Sequence, residues 1–357
     1  MNAYSHWTLQ PLFDLVGRKI LKRPRLQLEA AAAKQWEVAP GDSGHSQPAY
    51  YLPGQLDRVT GWEFSDEHPR RAMEGGVFWQ HTPTRAFLLK DALLVDGALH
   101  ARSFSLRYRQ RSVLPIARIE AEVETGAFYC TEAGIKWFGN WMMADCLTYP
   151  LASALAQPIT VGRDLSKHMR GYEALQQMKP TRLESAFIKE AIVFDDVGQN
   201  SAKRERSAKR RDMLLAGQTV KAHPGTFILR GTSGMRRVLV NELELAQYLV
   251  EKRGFRIVDP MKLSVDEIMA ACAGGDTVIG VEGSGLMHGI AVLAPGGKIV
   301  PLQPPDRFVS VYKDVADRDG LFFGFVVGTS CAEGFRVDPV EVERTLDLFP
   351  PVSKRND

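Results

Sequence analysis

The spacing of apolar positions divides the chain into two rhythms. From Thr226 onward, short apolar runs alternate with stretches of helical spacing. Phe227-Ile-Leu-Arg230 reads as a strand. Val238 to Lys252 reads as a helix, with Val238, Leu239, Leu243, Leu245, Ala246 and Leu249 apolar and Gly254 as its cap. Phe255-Arg-Ile-Val258 is a second strand. Ser264 with Glu267 three residues on forms a capping box that opens a helix to Cys272. A strand (Thr277 to Val281), a tight loop (Glu282-Gly283-Ser284-Gly285), a helix (Leu286 to Leu293) and a strand (Lys298 to Leu302) follow. Phe322 to Val327 is one more apolar run, and Asp338-Pro339 opens a last helix. Alternating strands and helices predict a parallel sheet covered on both faces.

The first half is less regular. His6 to Leu21 has the spacing of an amphipathic helix ending in a basic cluster; the plainer reading is a helix packed on its own domain, the sharper one a surface helix touching anionic lipid. Glu37 to Asp57 has the composition of loop. Ala86 to Glu124 alternates as short strands separated by turns, Ala127 to Cys130 reads as another, and Trp137 to Ala156 as a helix with a dense apolar face. Ala191 to Phe194 is a short strand. Gln199 to Asp212, with Lys203, Arg204, Arg206, Lys209, Arg210 and Arg211, reads first as a solvated helix face and second as a face for lipid head groups or an anionic glycan.

Bulk properties narrow the classes. At 357 residues, 45% apolar and 24% charged, the chain fits a soluble protein of two domains. A net charge of +3 excludes a nucleic-acid polycation, and no run of about 18 apolar residues predicts a spanning helix. Cys130, Cys146, Cys272 and Cys331 are too widely spaced for a disulfide framework or a zinc site, so free thiols and a cytoplasmic location are expected. His168, His223 and His288 are scattered, and no metal site is expected. Asp317-Arg-Asp319 has the letters of a metal-binding DxD but reads as surface.

Candidate chemistry gathers at the glycine loop. A strand–glycine loop–helix unit aims free N–H groups at an anion, with Gly283, Ser284 and Gly285 as the cradle and His288 one turn on. Gly283, Gly285 and Gly289 give GxGxxxG, which departs from the dinucleotide fingerprint, and the next strand ends at Leu302-Gln303 with no acid for a ribose. A phosphate-binding Walker loop lacks its Gly-Lys-Ser/Thr, and a hydrolase elbow lacks its first glycine, replaced by Glu282. Arg230, Arg236 and Arg237 fall at the same sheet edge. Cations at a helix start need a reason, and a diphosphate supplies one; pairing with Glu242 or Glu244 is the alternative. Glu282 beside a diphosphate must be paired, with Arg236 or Arg237, or accept hydrogen bonds from sugar hydroxyls.

Taken in order, Arg230-Gly-Thr-Ser-Gly-Met-Arg-Arg-Val-Leu-Val-Asn-Glu242, Gly254-Phe-Arg-Ile-Val-Asp-Pro260, and Gly280-Val-Glu-Gly-Ser-Gly-Leu-Met-His288 with Ala294-Pro-Gly-Gly297 resemble glycosyltransferase family 61, whose bacterial members are often labelled capsular polysaccharide biosynthesis proteins. The likeness covers about Thr226 to Leu302, with a looser echo at Trp137 to Leu147. Glu282, His288 and Asn140 depart from the family's His, Asn and His at those places. The resemblance implies an α/β fold of GT-B type: two Rossmann-like domains facing a cleft, the N-terminal one irregular with extra strands. Expected boundaries are 1–170 for the acceptor side, 171–340 for the nucleotide-sugar side, and 341–357 for a helix crossing back.

Its implied activity is inverting transfer from a nucleotide diphosphate sugar, usually a UDP-sugar, with no further cofactor, to a glycan or lipid-linked acceptor in surface polysaccharide synthesis. Inversion needs a general base and cations for the leaving diphosphate. Asp145 is the first base candidate and Glu132 the reserve. Two alternatives remain open at this stage: a non-catalytic sugar-nucleotide or glycan-binding subunit of an assembly complex, and a nicotinamide-dependent oxidoreductase.

Overall fold

The computed structural model describes residues 6–9, 12, 16, 26–63, 67–102, 104–109, 117–231 and 237–351. The chain forms two compact units: Met1–Gly41 with Thr82–Gly198, and Asp42–His81 with Gln199–Asp357. The division therefore falls at Gly198, later than the expected 170, and the second unit reclaims an early segment.

Unit 1 is built on an eight-stranded mixed sheet. Its strands are β1 (Lys34–Ala39), β2 (Thr84–Val95), β3 (Ala98–Ala101), β4 (Phe104–Arg107), β5 (Ala121–Phe128), β6 (Gln157–Val161), β7 (Thr181–Leu183) and β8 (Ala186–Asp195). They run in the order β7-β6-β5-β8-β2-β3-β4, with β1 also on β2. β7, β6, β5 and β8 are parallel, and β2 joins β8 antiparallel from Leu94 opposite Ala186 to Arg85 opposite Asp195. Asp96 and Gly97, at φ 50° and 69°, turn β2 into β3 with the two-residue geometry that suits strand twist. Phe87, Leu89, Leu94, Phe128, Ile159, Ile188 and Val193 fill the core.

Between β5 and β6 lie α1 (Glu132–Lys136) and α2 (Cys146–Leu155), joined by a short turn and a π-turn over Trp141–Asp145. The helix expected from Trp137 to Ala156 is present, running without a break from Phe138 to Leu155 with the wider turn inside it. Glu37–Asp57 is not loop throughout: β1 pairs with β2, and Asp42–His45 pairs with Phe78–His81. Most of the His6–Leu21 helix expectation lies outside the described residues, and His6–Thr8 is a strand against Ala117–Ile119.

Unit 2 carries an all-parallel sheet of β9 (Thr226–Ile228), β10 (Arg256–Val258), β11 (Thr277–Val281), β12 (Lys298–Gln303), β13 (Phe322–Phe323) and β14 (Val326–Val327). The order is β10-β9-β11-β12, with β13 and β14 in succession along the far side of β12. The crossovers contain α4 (Glu242–Arg253), α5 (Val265–Cys272), α6 (Met287–Ile290) and α7 (Val311–Asp319); the preceding α3 (Ser201–Leu215) leads into the sheet. Gly254 at φ 69° closes α4 and the Ser264–Glu267 box opens α5, as the spacing predicts. Helix α4 begins later than Val238, because the Val238 carbonyl and Val240 N–H bond to Phe335 in extended form. α8 (Pro339–Leu346), capped by Asp338, stays with this unit: Val342 packs with Leu245, Leu249, Phe335 and Phe349.

Two expectations of solvated charge are overturned. Lys203, Arg206 and Arg210 of α3 are buried, and Asp319 of the DxD triplet accepts from Ser207 and Arg318, while Asp317 accepts from the buried Lys313. Those aspartates serve an internal ion network. No helix among the described residues is long and apolar enough to cross a membrane.

The early segment 42–81 is tied to unit 2 by main-chain bonds, with Tyr50 N–H to Phe323 O at 2.9 Å and Phe308 N–H to Gly61 O at 2.8 Å. Arg58 adds a two-pronged pair to Glu341, at 2.7 and 2.5 Å. That hydrogen bonding holds the Glu341 carboxyl below its ordinary range. Its stabilisation is therefore complete above the usual carboxylate range and is lost as pH falls through the depressed folded value. Arg58→Ala is expected to cost about 1 kcal/mol, discounted because Arg58 is partly exposed, and to shallow the acid limb of a stability–pH curve measured by urea titration.

Candidate functional site

In an open parallel sheet, ligands bind beyond the carboxyl ends of the strands where the strand order reverses. In unit 2 that point lies between β9 and β11, which pair directly with β10 and β12 on opposite sides. Arg230 follows the tip of β9, and Glu282-Gly283-Ser284-Gly285 follows the tip of β11.

The five residues of β11 are all buried. Glu282 continues the ladder, its N–H donating to Leu302 O at 2.9 Å. Gly283 then takes φ 148° and ψ 173°, a conformation open essentially to glycine. A methyl group there would also collide with the Arg230 guanidinium. Ser284–Leu286 makes one 3-10 turn before the short α6, so the helix expected over Leu286–Leu293 is present but α-helical only over Met287–Ile290. Ser284 and Gly285 are half-buried, and a Cβ at Gly285 would meet nothing within 4 Å. His288 is buried within α6.

The guanidinium groups converge on residue 282. Arg230 Nη1 donates to the Glu282 carbonyl at 3.2 Å and Arg237 Nη1 at 2.8 Å. Arg237 Nη1 also reaches Glu282 Oε2 at 2.5 Å. Arg236 lies outside the described residues. Arg237, of the pair named for Glu282, is the partner found. A third cation, Arg307 in the loop after β12, places Nη1 3.4 Å from the same carboxylate oxygen and Nε 2.7 Å from Glu63. Tyr312 on α7 donates its hydroxyl to Gly283 O at 2.6 Å and so holds the glycine loop from beneath.

Asn241 and Glu242 frame this cluster. Asn241 exchanges two hydrogen bonds with the Val337 main chain. The Glu242 carboxylate accepts from the Arg230 and Gly231 N–H groups at 2.7 and 2.9 Å, fixing the turn that carries Arg230. Glu242 thereby fixes the backbone and also lends its negative charge to Arg230.

Burial pushes the Glu282 carboxyl up, against the pull of Arg237, Arg307 and Arg230. It also draws Arg237 and Arg230 down, the latter further because Arg237 is near. On both sides of the pair, desolvation outweighs attraction, yet guanidinium stays charged at any working pH. At this turn Arg230, Arg237 and Arg307 meet the carboxylates of Glu282, Glu63 and Glu242. The result is a largely desolvated arginine cluster beside the glycine turn, which suits an oxyanion with several negative oxygens.

The family described as Glycosyltransferase 61 matches the chain over residues 4–300, well over half its length. The chain belongs to glycosyltransferase family 61. No curated protein is similar enough to match it. Membership makes the protein a glycosyltransferase, and it settles the choice against a non-catalytic subunit or an oxidoreductase.

In this family 61 enzyme the base candidates lie in unit 1. Thr131 caps α1 by accepting from the Gly134 N–H at 2.9 Å. Asp145, fully buried in the π-turn, accepts from the Thr131 N–H at 3.1 Å and hydroxyl at 2.8 Å. Arg163 donates to the Gly134 and Ile135 carbonyls at 2.6 and 2.7 Å. Glu132, first residue of α1, is exposed. Trp141 is buried and Trp137 part-exposed.

Sequence reasoning missed Arg307, Glu63 and Tyr312. Arg307 had a signal, an arginine in Pro-Pro-Asp-Arg directly after a buried strand; Glu63 and Tyr312 had none, since pairing brings them in from other elements. Gly283→Ala is expected to lower stability by about 1–3 kcal/mol and to displace Arg230. Chemical denaturation checks the first effect; a variant as stable as the parent would contradict the strained turn.

Proposed function

We propose that the arginine cluster at the tips of β9 and β11 holds the diphosphate of a nucleotide-sugar donor, UDP being the first choice of nucleoside, in an inverting glycosyltransferase of GT-B class. The juxtaposition of Arg230, Arg237 and Arg307 with the glycine turn, at the order reversal of a parallel sheet, carries this reading. The acceptor is a glycan or lipid-linked hydroxyl in bacterial surface polysaccharide synthesis, so the protein works beside the cytoplasmic membrane face.

In the reaction an acceptor oxygen attacks the anomeric carbon while the bond from that carbon to the diphosphate breaks. The acceptor's proton passes to a carboxylate. Negative charge grows on the departing diphosphate, where preset guanidinium groups stabilise it without reorganising. Of the two base candidates, Glu132 is the accessible one, and Asp145 acts through Thr131 to set the turn from which Glu132 projects.

A thermal-shift panel of UDP, GDP, CMP and their sugars is expected to show one clear winner among the nucleoside diphosphates, because a ligand bound to the folded state raises its stability by mass action. Arg237→Ala should lose most of that shift; a full shift would remove Arg237 from the donor site. Glu132→Gln should keep the shift and reduce kcat by about 10²–10⁴-fold. Undiminished turnover in that variant would assign the base elsewhere.

A further inference from the structure

We infer that Glu282 is an internal counter-ion: its carboxylate holds one N–H of Arg237 and lies beside one of Arg307 until the donor's diphosphate takes those guanidinium groups over. This inference rests on the diphosphate reading above and adds a device to it. The two roles of residue 282 are separable. Its main-chain oxygen already receives Arg230 and Arg237 at 3.2 and 2.8 Å, so the loop is anchored without the side chain. The carboxylate receives a second bond from Arg237 at 2.5 Å and faces Arg307 at 3.4 Å. That side chain is 5% exposed and Arg237's is 9%, so water screens the pair little.

The charged groups that face Glu282 come from four elements. Arg230 comes from the tip of β9, Arg237 from the loop ahead of α4, Arg307 from the loop after β12, and Glu63 from the early segment. Tyr312 on α7 stays a neutral phenol, pushed up by burial. The three cations already meet the carboxylates of Glu282, Glu63 and Glu242, and an entering diphosphate brings about two further charges or more. Held beside it in a site of low effective dielectric, the Glu282 carboxylate repels that newcomer strongly. Either Glu282 yields the arginines or the anion binds weakly.

Competition of this kind has use in a transferase. While the site is empty, Glu282 keeps two buried arginines paired and aligned, sparing the cradle the cost of unpaired buried charge. After transfer, the carboxylate can regain Arg237 and Arg307 as the nucleoside diphosphate departs. Glu282 thus trades donor affinity for product release, and the cluster favours ligands with enough charge to win the arginines, nucleoside diphosphates over monophosphates.

The test uses the full chain and isothermal titration with inorganic pyrophosphate, then with the nucleoside diphosphate that wins the thermal-shift panel. Glu282→Gln keeps the shape and removes the charge. It should bind pyrophosphate about tenfold tighter or more, gain less for the matching monophosphate, and show stronger product inhibition by the nucleoside diphosphate. Glu282→Met, of similar length with neither charge nor strong hydrogen bonding, is the second variant and should gain in the same direction. If the parent binds these anions and the folded variants bind them equally or more weakly, Glu282 is no competitor and the inference fails alone. Loss of folding in both variants assigns Glu282 to the framework and also overturns it. Failure of the parent and both variants to bind either anion removes the diphosphate reading itself, and this inference with it.

Discussion

The ion pair between Arg237 and Glu282 is the constraint around which the candidate site is organised. Residue 282 is where β11 stops pairing and the chain must bend, and Arg230 and Arg237 hold its carbonyl there. Gly283 can make that bend because it lacks a Cβ, and Tyr312 fixes the far side of the peptide. The Glu282 carboxylate gives the buried Arg237 guanidinium a counter-charge at the same point. The turn, the arginine forks and the sheet edge are thus one mechanical object.

Its supports are drawn from distant parts of the chain. Glu242 secures the Arg230 turn through two backbone N–H groups, and Asn241 secures the neighbouring strand edge at Val337. Glu63 arrives with a segment that runs beside Pro305–Phe308, where Thr60 N–H meets Pro305 O at 2.7 Å and Trp62 lies against Phe308. In the other unit a buried carboxylate likewise holds main chain: Asp145 accepts from the Thr131 N–H and hydroxyl, and the adjoining Glu132 is exposed.

Much of unit 2 was legible because its signals are local. β11, the Ser264 capping box, the Gly254 cap and the Asp338 cap each depend on residues within one turn of one another, and each stands where spacing put it. Arg230, Glu282 and Gly283 likewise stand just beyond strand tips, where the spacing puts them, and Arg237 stands ahead of α4. What escaped was non-local. Val238–Val240 has helical spacing but is claimed by Phe335, and the Asp42–His45 strand exists through its partner Phe78–His81. The basic run in α3 looks solvated by composition, yet the neighbouring α7 gives Lys203, Arg206 and Arg210 a buried side. Ionic networks of that sort carry no periodicity, so no window along the chain reveals them.

The assignment of residues 42–81 to the second unit has a consequence for how the protein is made. The polypeptide passes from one unit to the other three times, after Gly41, His81 and Gly198. On the ribosome, the strand Lys34–Ala39 and its partner Thr84–Val95 emerge early with the intervening residues looped out between them. Those residues must then wait for Pro305–Phe308, Phe323 and Glu341, which are synthesised last. Unit 2 cannot be completed vectorially, and a nascent chain halted after Gly198 would display an orphaned segment whose docking surface does not yet exist.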